Sequence, residues 1–354
     1  MRRFISRNPY TGKILKEYDF LTNAQLDDKI AKAGEAVRLM SGTSQPEKAR
    51  QFEALAQVLE KNQSSYAEII TAEVGKPIVN SRMEVTRAIN HCRYYAKHMA
   101  EYLNPTIVKT EAKKKTLIKY EPLGVIYYII PFNFPFWLSF KGALGTLLLG
   151  NSVIMRPADS TPMVGEAVQQ IFEKAGLDCG HLQTVYTSQD QLDRIMANPL
   201  IGGVAFTGST NAGGKIAEIA GRNIKKSVME LGGNDPFIVL EDADIEQAAK
   251  DAVRGRCANS GQVCFSPKRF ILVGRTYEIF RTKLIENLKK VVIGDPMDEK
   301  TTMGPLARED LYNNLDRQLK NIPSTWKVFW QSEAQRPFYP ITVLEADSNK
   351  PFDE

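Results

Sequence analysis

Between residues 23 and 102 apolar side chains recur at intervals of three and four. The stretches AQLDDKIAKAGEAVRLM and KARQFEALAQVLEKN both keep this spacing and contain no proline. That period gives an α-helix one apolar face. From residue 124 the pattern changes to short apolar runs separated by amphipathic ones. GVIYYII, NSVIMRP, LQTVYT, GGVAFTG and KSVMEL read as strands. FPFWLSFKGALGTLLLG, MVGEAVQQIFEKAG, DQLDRIMA and NAGGKIAEIAG read as the helices between them, the second with Met163, Ala167, Ile171 and Ala175 along one side. Buried strands alternating with amphipathic helices predict an α/β fold with a parallel sheet covered on both faces. Such sheets bind ligands beyond the carboxyl ends of their strands.

A second α/β unit begins after ELGGND. PFIVL and KRFILVG read as strands, and DADIEQAAKDAVRGRCA as the helix between them. The tail has a different character. The last of the 24 glycines is Gly304, and the closing LEADSNKPFDE is polar. Compact α/β domains normally place glycine at their turns. The region after Gly304 is therefore expected to lack closing elements.

Composition narrows the function classes. A chain of 354 residues that is 43% hydrophobic has material for two domains. Net charge is only +5, and the densest basic run, KTEAKKKTLIKY at 109–120, has no interleaved aromatic rings, so a solvated loop or hairpin is expected there and no nucleic-acid partner. Four cysteines and three histidines form no disulfide framework and no zinc spacing, so no metal is expected. Few cysteines fit a reducing compartment, here the cytoplasm. No apolar run is long enough to span a membrane.

Five stretches carry candidate chemistry. In PFNFP, Asn133 follows a strand directly; its amide could donate to a developing oxyanion, or simply form a turn. In RPADSTP, Arg156 and Asp159 stand at a strand end, where a carboxylate can accept from a ribose, or cap a helix. In FTGST, Gly208 and Ser209 open a helix after a strand, an anion-binding arrangement that many βα turns share. In MELGGND, Glu230 ends a strand and could act as a general base or sit in an ion pair. In CANSGQVCFSPKRF, at 257–270, Cys264 lies in a loop opened by Gly261. A free cysteine is more often a small core residue than a nucleophile.

Taken in order, PFNFPF, RPADSTP, FTGST, ELGGNDPFIVLEDADI, NSGQVC and GDPMD…TTMGPL resemble the aldehyde dehydrogenase superfamily, from about NPYTGK at residue 8 to the end. Within it, ELGGNDPFIVLEDADI and GQVC…KRFI most resemble succinate-semialdehyde dehydrogenases. The resemblance implies a Rossmann-like parallel-sheet cofactor domain at 1–101 and 122–231. It implies a bridging or oligomerisation hairpin at 102–121 and a catalytic domain at 232–354, incomplete at its C-terminus. It further implies Cys264 as nucleophile, Asn133 with the Cys264 N–H as oxyanion donors, and Glu230 as the base that activates water. Arg156 and Asp159 would contact the adenosine ribose, and Gly208 and Ser209 the pyrophosphate. NAD is the implied cofactor, with NADP as the alternative, and Asp159 favours NAD. Lys141 stands eight residues after Asn133, where family members that use succinate semialdehyde carry an arginine that looks like a holder of the substrate carboxylate; helical spacing would place the two on one face, and a plain lysine at a helix surface is the other reading. Phe132, Arg156 and Asn234 depart from the tryptophan and lysines usual there. The sequence stops before the FGP motif and before the family's oligomerisation strand, which puts the family homo-oligomer in doubt. Three readings follow: an active aldehyde dehydrogenase, a truncated inactive relative, and a thioesterase that uses Cys264 without cofactor.

Overall fold

The computed structural model describes residues 3–108, 116–177 and 180–346. The chain forms two compact units. The first comprises Met1–Ser6, Ile14–Ile70 and Arg82–Leu231, and the second Arg7–Lys13, Thr71–Ser81 and Gly232–Glu354.

The first unit opens with β1 (Arg3–Arg7) paired to β2 (Ile14–Asp19). Four helices follow, α1 (Asn23–Gly42), α2 (Gln45–Lys61), α3 (Gln63–Val74) and α4 (Ile78–Leu103), the end of α3 from Thr71 and the start of α4 to Ser81 being counted with the second unit. The start of α1 is set by a reciprocal cap: the Gln25 N–H donates to Thr22 Oγ1 at 3.2 Å, and the Thr22 N–H to Gln25 Oε1 at 2.9 Å. An antiparallel hairpin, β3 (Thr106–Val108) with β4 (Thr116–Ile118), pairs Ile107 with Leu117 and leaves both exposed. Most of the basic run lies outside the described residues; its described end forms β4.

The βα alternation then appears as expected: β5 (Val125–Ile129), α5 (Pro135–Leu148), β6 (Ser152–Arg156), α6 (Pro162–Lys174), β7 (Leu182–Thr184), α7 (Leu192–Ala197), β8 (Ile201–Thr207), α8 (Thr210–Arg222) and β9 (Lys226–Glu230). All five strands from β5 to β9 are parallel, in the order β7-β6-β5-β8-β9. Tyr127 and Ile129 of β5 pack with Leu26 and Ile30 of α1 and with Ile216 and Ala220 of α8. Away from that cluster, the rings of Phe136 and Phe140 on α5 lie 5.1 Å apart, and Phe140 lies 5.4 Å from Phe172 on α6. Each such ring, fully buried, contributes about 1.5–3 kcal/mol.

The second unit contains β10 (Pro236–Val239), α9 (Ile245–Cys257), β11 (Arg269–Leu272), α10 (Thr276–Leu288), α11 (Glu309–Lys320), β12 (Lys327–Gln331) and β13 (Thr342–Glu345). β10 and β11 run parallel, and β12 and β13 antiparallel. The expectation for the tail is corrected here. The glycine-free region holds a helix and a hairpin, and Trp330, Ile341 and Val343 pack on the core of Val239, Val253, Phe280 and Leu284. Turns at Asn321 and around Pro340 serve without glycine, because neither needs positive φ. Leu344 and Glu345, in the polar closing stretch for which no closing element is expected, belong to β13. Among the described residues, no helix is long and apolar enough to cross a membrane.

Candidate active site

The sheet of the first unit reverses its strand order between β5 and β8, and open α/β sheets place ligands at such a switch point. Arg156, Ile129, Phe206 and Met229 form one row across β6, β5, β8 and β9. Three strand spacings make that row about 14 Å wide. Asn133, Gly208 and Glu230 follow this row at the carboxyl ends of their strands. The parallel register thus brings five of the residues singled out from sequence, Asn133, Arg156, Gly208, Ser209 and Glu230, to one edge.

Asn133 lies in the turn between β5 and α5, and its Oδ1 accepts from the Phe134 N–H at 3.0 Å. That bond orients the amide, whose nitrogen is the end an oxyanion would need. No Ser, Thr or Asp caps α5; Phe134 holds the cap position. The buried Glu84 of α4 takes that role, accepting from the N–H groups of Phe136 and Trp137, both at 2.9 Å. Glu84 escapes sequence reading because it lies some fifty residues upstream. The uncapped PFNFP start was the only signal for it.

Arg156 and Asp159 meet each other. Nη2 of Arg156 donates to Asp159 Oδ1 at 2.7 Å, Nε to Thr187 O at 3.1 Å and Nη1 to Pro157 O at 3.2 Å. The guanidinium also lies over the Phe4 ring, 4.9 Å from its centroid. The Arg156 side chain is only 13% exposed, against 68% for Asp159. The pair therefore presents mainly a carboxylate to solvent, while the arginine's donors serve the protein itself.

Ser209 is the N-cap of α8, its Oγ accepting from the Ala212 N–H at 3.3 Å. The Gly208 N–H donates to Glu230 O at 3.0 Å. That N–H extends the β8–β9 ladder. Glu230 is exposed at the end of β9. Its charge acts on Tyr128, whose pKa is pushed up to about 12, mainly by burial. The Tyr128 hydroxyl donates to Leu138 O at 3.0 Å.

Lys141 is exposed on α5, one turn beyond Trp137. It does not share a helical face with Asn133 as the spacing predicts, because Asn133 precedes the helix. Its neighbour is His91, whose pKa is lowered first by burial and further by the Lys141 charge.

In the second unit, α9 is capped by Asp244 and ends at Cys257. Asn259, Ser260 and Gly261 follow with φ of 47°, 57° and 75°. Only glycine adopts this left-handed region freely, and each of the other two costs about 1–2 kcal/mol. Side-chain bonds hold the turn. Ser260 Oγ donates to Gly304 O at 2.7 Å, and Gln262 Oε1 accepts from the Ala307 N–H at 3.0 Å. Cys264 emerges from this turn exposed, whereas Cys92 and Cys257 are buried. Burial pushes the Cys257 thiol up to about 11 and raises Cys92 as well. Cys179 lies outside the described residues. Among the described residues, no three His, Cys, Asp or Glu side chains group in a way that could hold a metal ion.

A model of the aldehyde dehydrogenase family matches residues 2–345. The chain is 36% identical over 345 residues to an aldehyde dehydrogenase of Paenarthrobacter nicotinovorans, covering 95% of this chain and 75% of that protein. It is 34% identical over 346 residues to a succinate semialdehyde dehydrogenase, NAD(P)+-dependent by name, of Escherichia coli (strain K12), covering 96% and 74%. Among solved structures it resembles the succinic semialdehyde dehydrogenase from Streptococcus pyogenes in complex with NADP+. The TM-score is 0.94 at 29% identity, over 98% of this chain and 77% of that one.

Proposed function

Because the chain belongs to the aldehyde dehydrogenase family, we propose that it oxidises an aldehyde, succinate semialdehyde foremost, to the acid with a nicotinamide dinucleotide. The observation that supports this reading is the exposure of Cys264: it is the exposed thiol among the described cysteines, in a turn held by side-chain bonds, at the place where the motif resemblance implies the nucleophile. The names of the Escherichia coli and Streptococcus pyogenes relatives support the substrate class.

The Cys264 thiolate forms a C–S bond to the aldehyde carbon, and the carbonyl electron pair moves to oxygen. The Asn133 amide and the Cys264 N–H donate to that oxyanion. A bound nicotinamide ring supplies the hydride acceptor. Glu230 takes a proton from water, which attacks the resulting thioester. The C–S bond breaks, and the thiolate and the carboxylic acid are released.

The residues at the carboxyl edge suit a dinucleotide. The switch point between β5 and β8 offers the crevice, the α8 N-terminus with Ser209 suits a pyrophosphate, and the exposed Asp159 carboxylate suits ribose hydroxyls. NAD is the favoured form, because a 2′-phosphate would meet Asp159. In this reading 1–101 and 122–231 bind cofactor, 232–354 carries the nucleophile, and the 102–121 hairpin serves assembly. Lys141 holds the substrate carboxylate as a point charge.

The test is NADH formation from succinate semialdehyde by the parent chain and by Cys264→Ser. The reading expects steady production by the parent and none by the variant. Equal rates in the two would refute it.

A further inference from the structure

Arg256, the penultimate residue of α9, touches both ends of the Cys264 loop. On one side, a Cβ added to Gly261 would stand 3.2 Å from its Nη2 and 3.3 Å from its Cζ. The guanidinium therefore lies close to the Gly261 backbone, where φ is +75°. On the other side, Nη1 donates to Ser266 Oγ at 3.2 Å. That hydroxyl in turn donates to Gly255 O at 3.0 Å, a carbonyl of the last helical turn. Cys264 lies between these two points, in a stretch with no regular backbone ladder of its own.

We infer that Arg256 is a positioning residue for Cys264, holding both ends of loop 261–266 on one guanidinium. The inference rests on the reading of Cys264 as the nucleophile. A planar guanidinium can pack against one point and donate at a fixed angle to another, as here against Gly261 and to Ser266, which a lysine ammonium on a flexible stem cannot. Without the guanidinium, the N-terminal arm keeps its Ser260 and Gln262 ties, while the C-terminal arm keeps the Ser266 bond to Gly255 O but loses the bond that fixes the Ser266 hydroxyl from Arg256. A nucleophile displaced by about 1 Å loses up to about a hundredfold in rate while substrate binding elsewhere persists.

A merely structural arginine is the alternative. A cation in the last turn of α9 interacts favourably with the helix dipole, and a lysine would do so equally well. Arg256→Lys separates the two roles, since it keeps the charge and loses the two-point hold. The full chain is compared with this variant by aldehyde turnover and by amide hydrogen exchange. We expect kcat to fall about tenfold or more with KM within about twofold. Exchange across 261–266 should rise about tenfold, with the β5–β9 sheet unchanged. Ser266→Ala, which removes only the hydroxyl, should move both readouts in the same direction and serves if Arg256→Lys folds poorly. Both readouts within about twofold of the parent in either folded variant would overturn the inference. The exchange readout needs no turnover. An inactive parent would thus refute the dehydrogenase reading, while exchange alone decided the hold on the loop.

Discussion

Gly233 lies directly against Cys264: a Cβ built on Gly233 would come within 2.9 Å of the Cys264 carbonyl oxygen and 3.1 Å of Asp235 Oδ1. The strand-to-strand connection and the cysteine loop are closed on each other around this point. Lys268 Nζ donates to Gly233 O at 2.6 Å, and the Lys268 N–H to Asp235 O at 3.2 Å. Gly233→Ala must therefore push the 233 segment and the Cys264 backbone apart. It should lower kcat by about tenfold or more with little change in KM. Gly232→Ala, whose Cβ would meet nothing within 4 Å, should behave like the parent. Steady-state kinetics on the two variants checks the contrast, and equal behaviour would contradict it.

The cysteines should differ in reactivity. The thiolate is the form that alkylates, and burial disfavours it at Cys92 and at Cys257, where the pKa stands at about 11. Limited iodoacetamide treatment near neutral pH should mark Cys264 before either of them. Raising the pH toward 11 should bring in Cys257 while the fold persists. Peptide mapping by mass spectrometry reads this, and early labelling of Cys92 or Cys257 in the folded protein would contradict it.

The strand–helix order of residues 124–240 was legible because apolar runs there are short and uninterrupted, and the register of a parallel sheet then fixes which strand ends meet. The helix at 162–174 shows the limit. A strict four-residue step picks Met163, Ala167, Ile171 and Ala175, whereas the 3.6-residue turn buries Val164, Ala167, Val168, Ile171 and Phe172. The tail escapes a sequence reading that takes glycine as the marker of turns, because its turns at Asn321 and around Pro340 need no positive φ. The candidate site was legible as motifs, but not in its bonds. That Arg156 spends its donors on Asp159, Thr187 and Pro157, that Glu84 caps α5, and that Arg256 underlies the cysteine loop all depend on contacts that sequence spacing does not encode.

Cofactor choice should follow the Arg156–Asp159 pair. With Asp159 in place, a 2′-phosphate meets like charge and an arginine already engaged. At about 4 Å and an effective dielectric near 20, such a repulsion costs about 4 kcal/mol before solvent screening, and less at so exposed a carboxylate. Asp159→Asn removes the negative charge and loosens its claim on Arg156. The ratio of NADP to NAD affinity should rise about tenfold or more by fluorescence titration. A parent that binds NADP more tightly than NAD, or a variant with an unchanged ratio, would refute this account.

Lys141→Ala should raise KM for succinate semialdehyde and leave KM for butanal unchanged, because only the first substrate carries a carboxylate for the ammonium. The expected change is about 1.5- to fivefold, in keeping with one exposed ion pair. Equal effects on both aldehydes would rule out carboxylate recognition at this residue.

The central claim is that oxidation proceeds through a thioester on Cys264. Mixing the chain with succinate semialdehyde and NAD, quenching in acid within the first turnover and mapping the peptides by mass spectrometry tests it most directly. The account predicts one succinyl group on the peptide that contains Cys264, present with NAD and absent without it. NADH formation with no acyl group on Cys264, or with the acyl group on another residue, would contradict it.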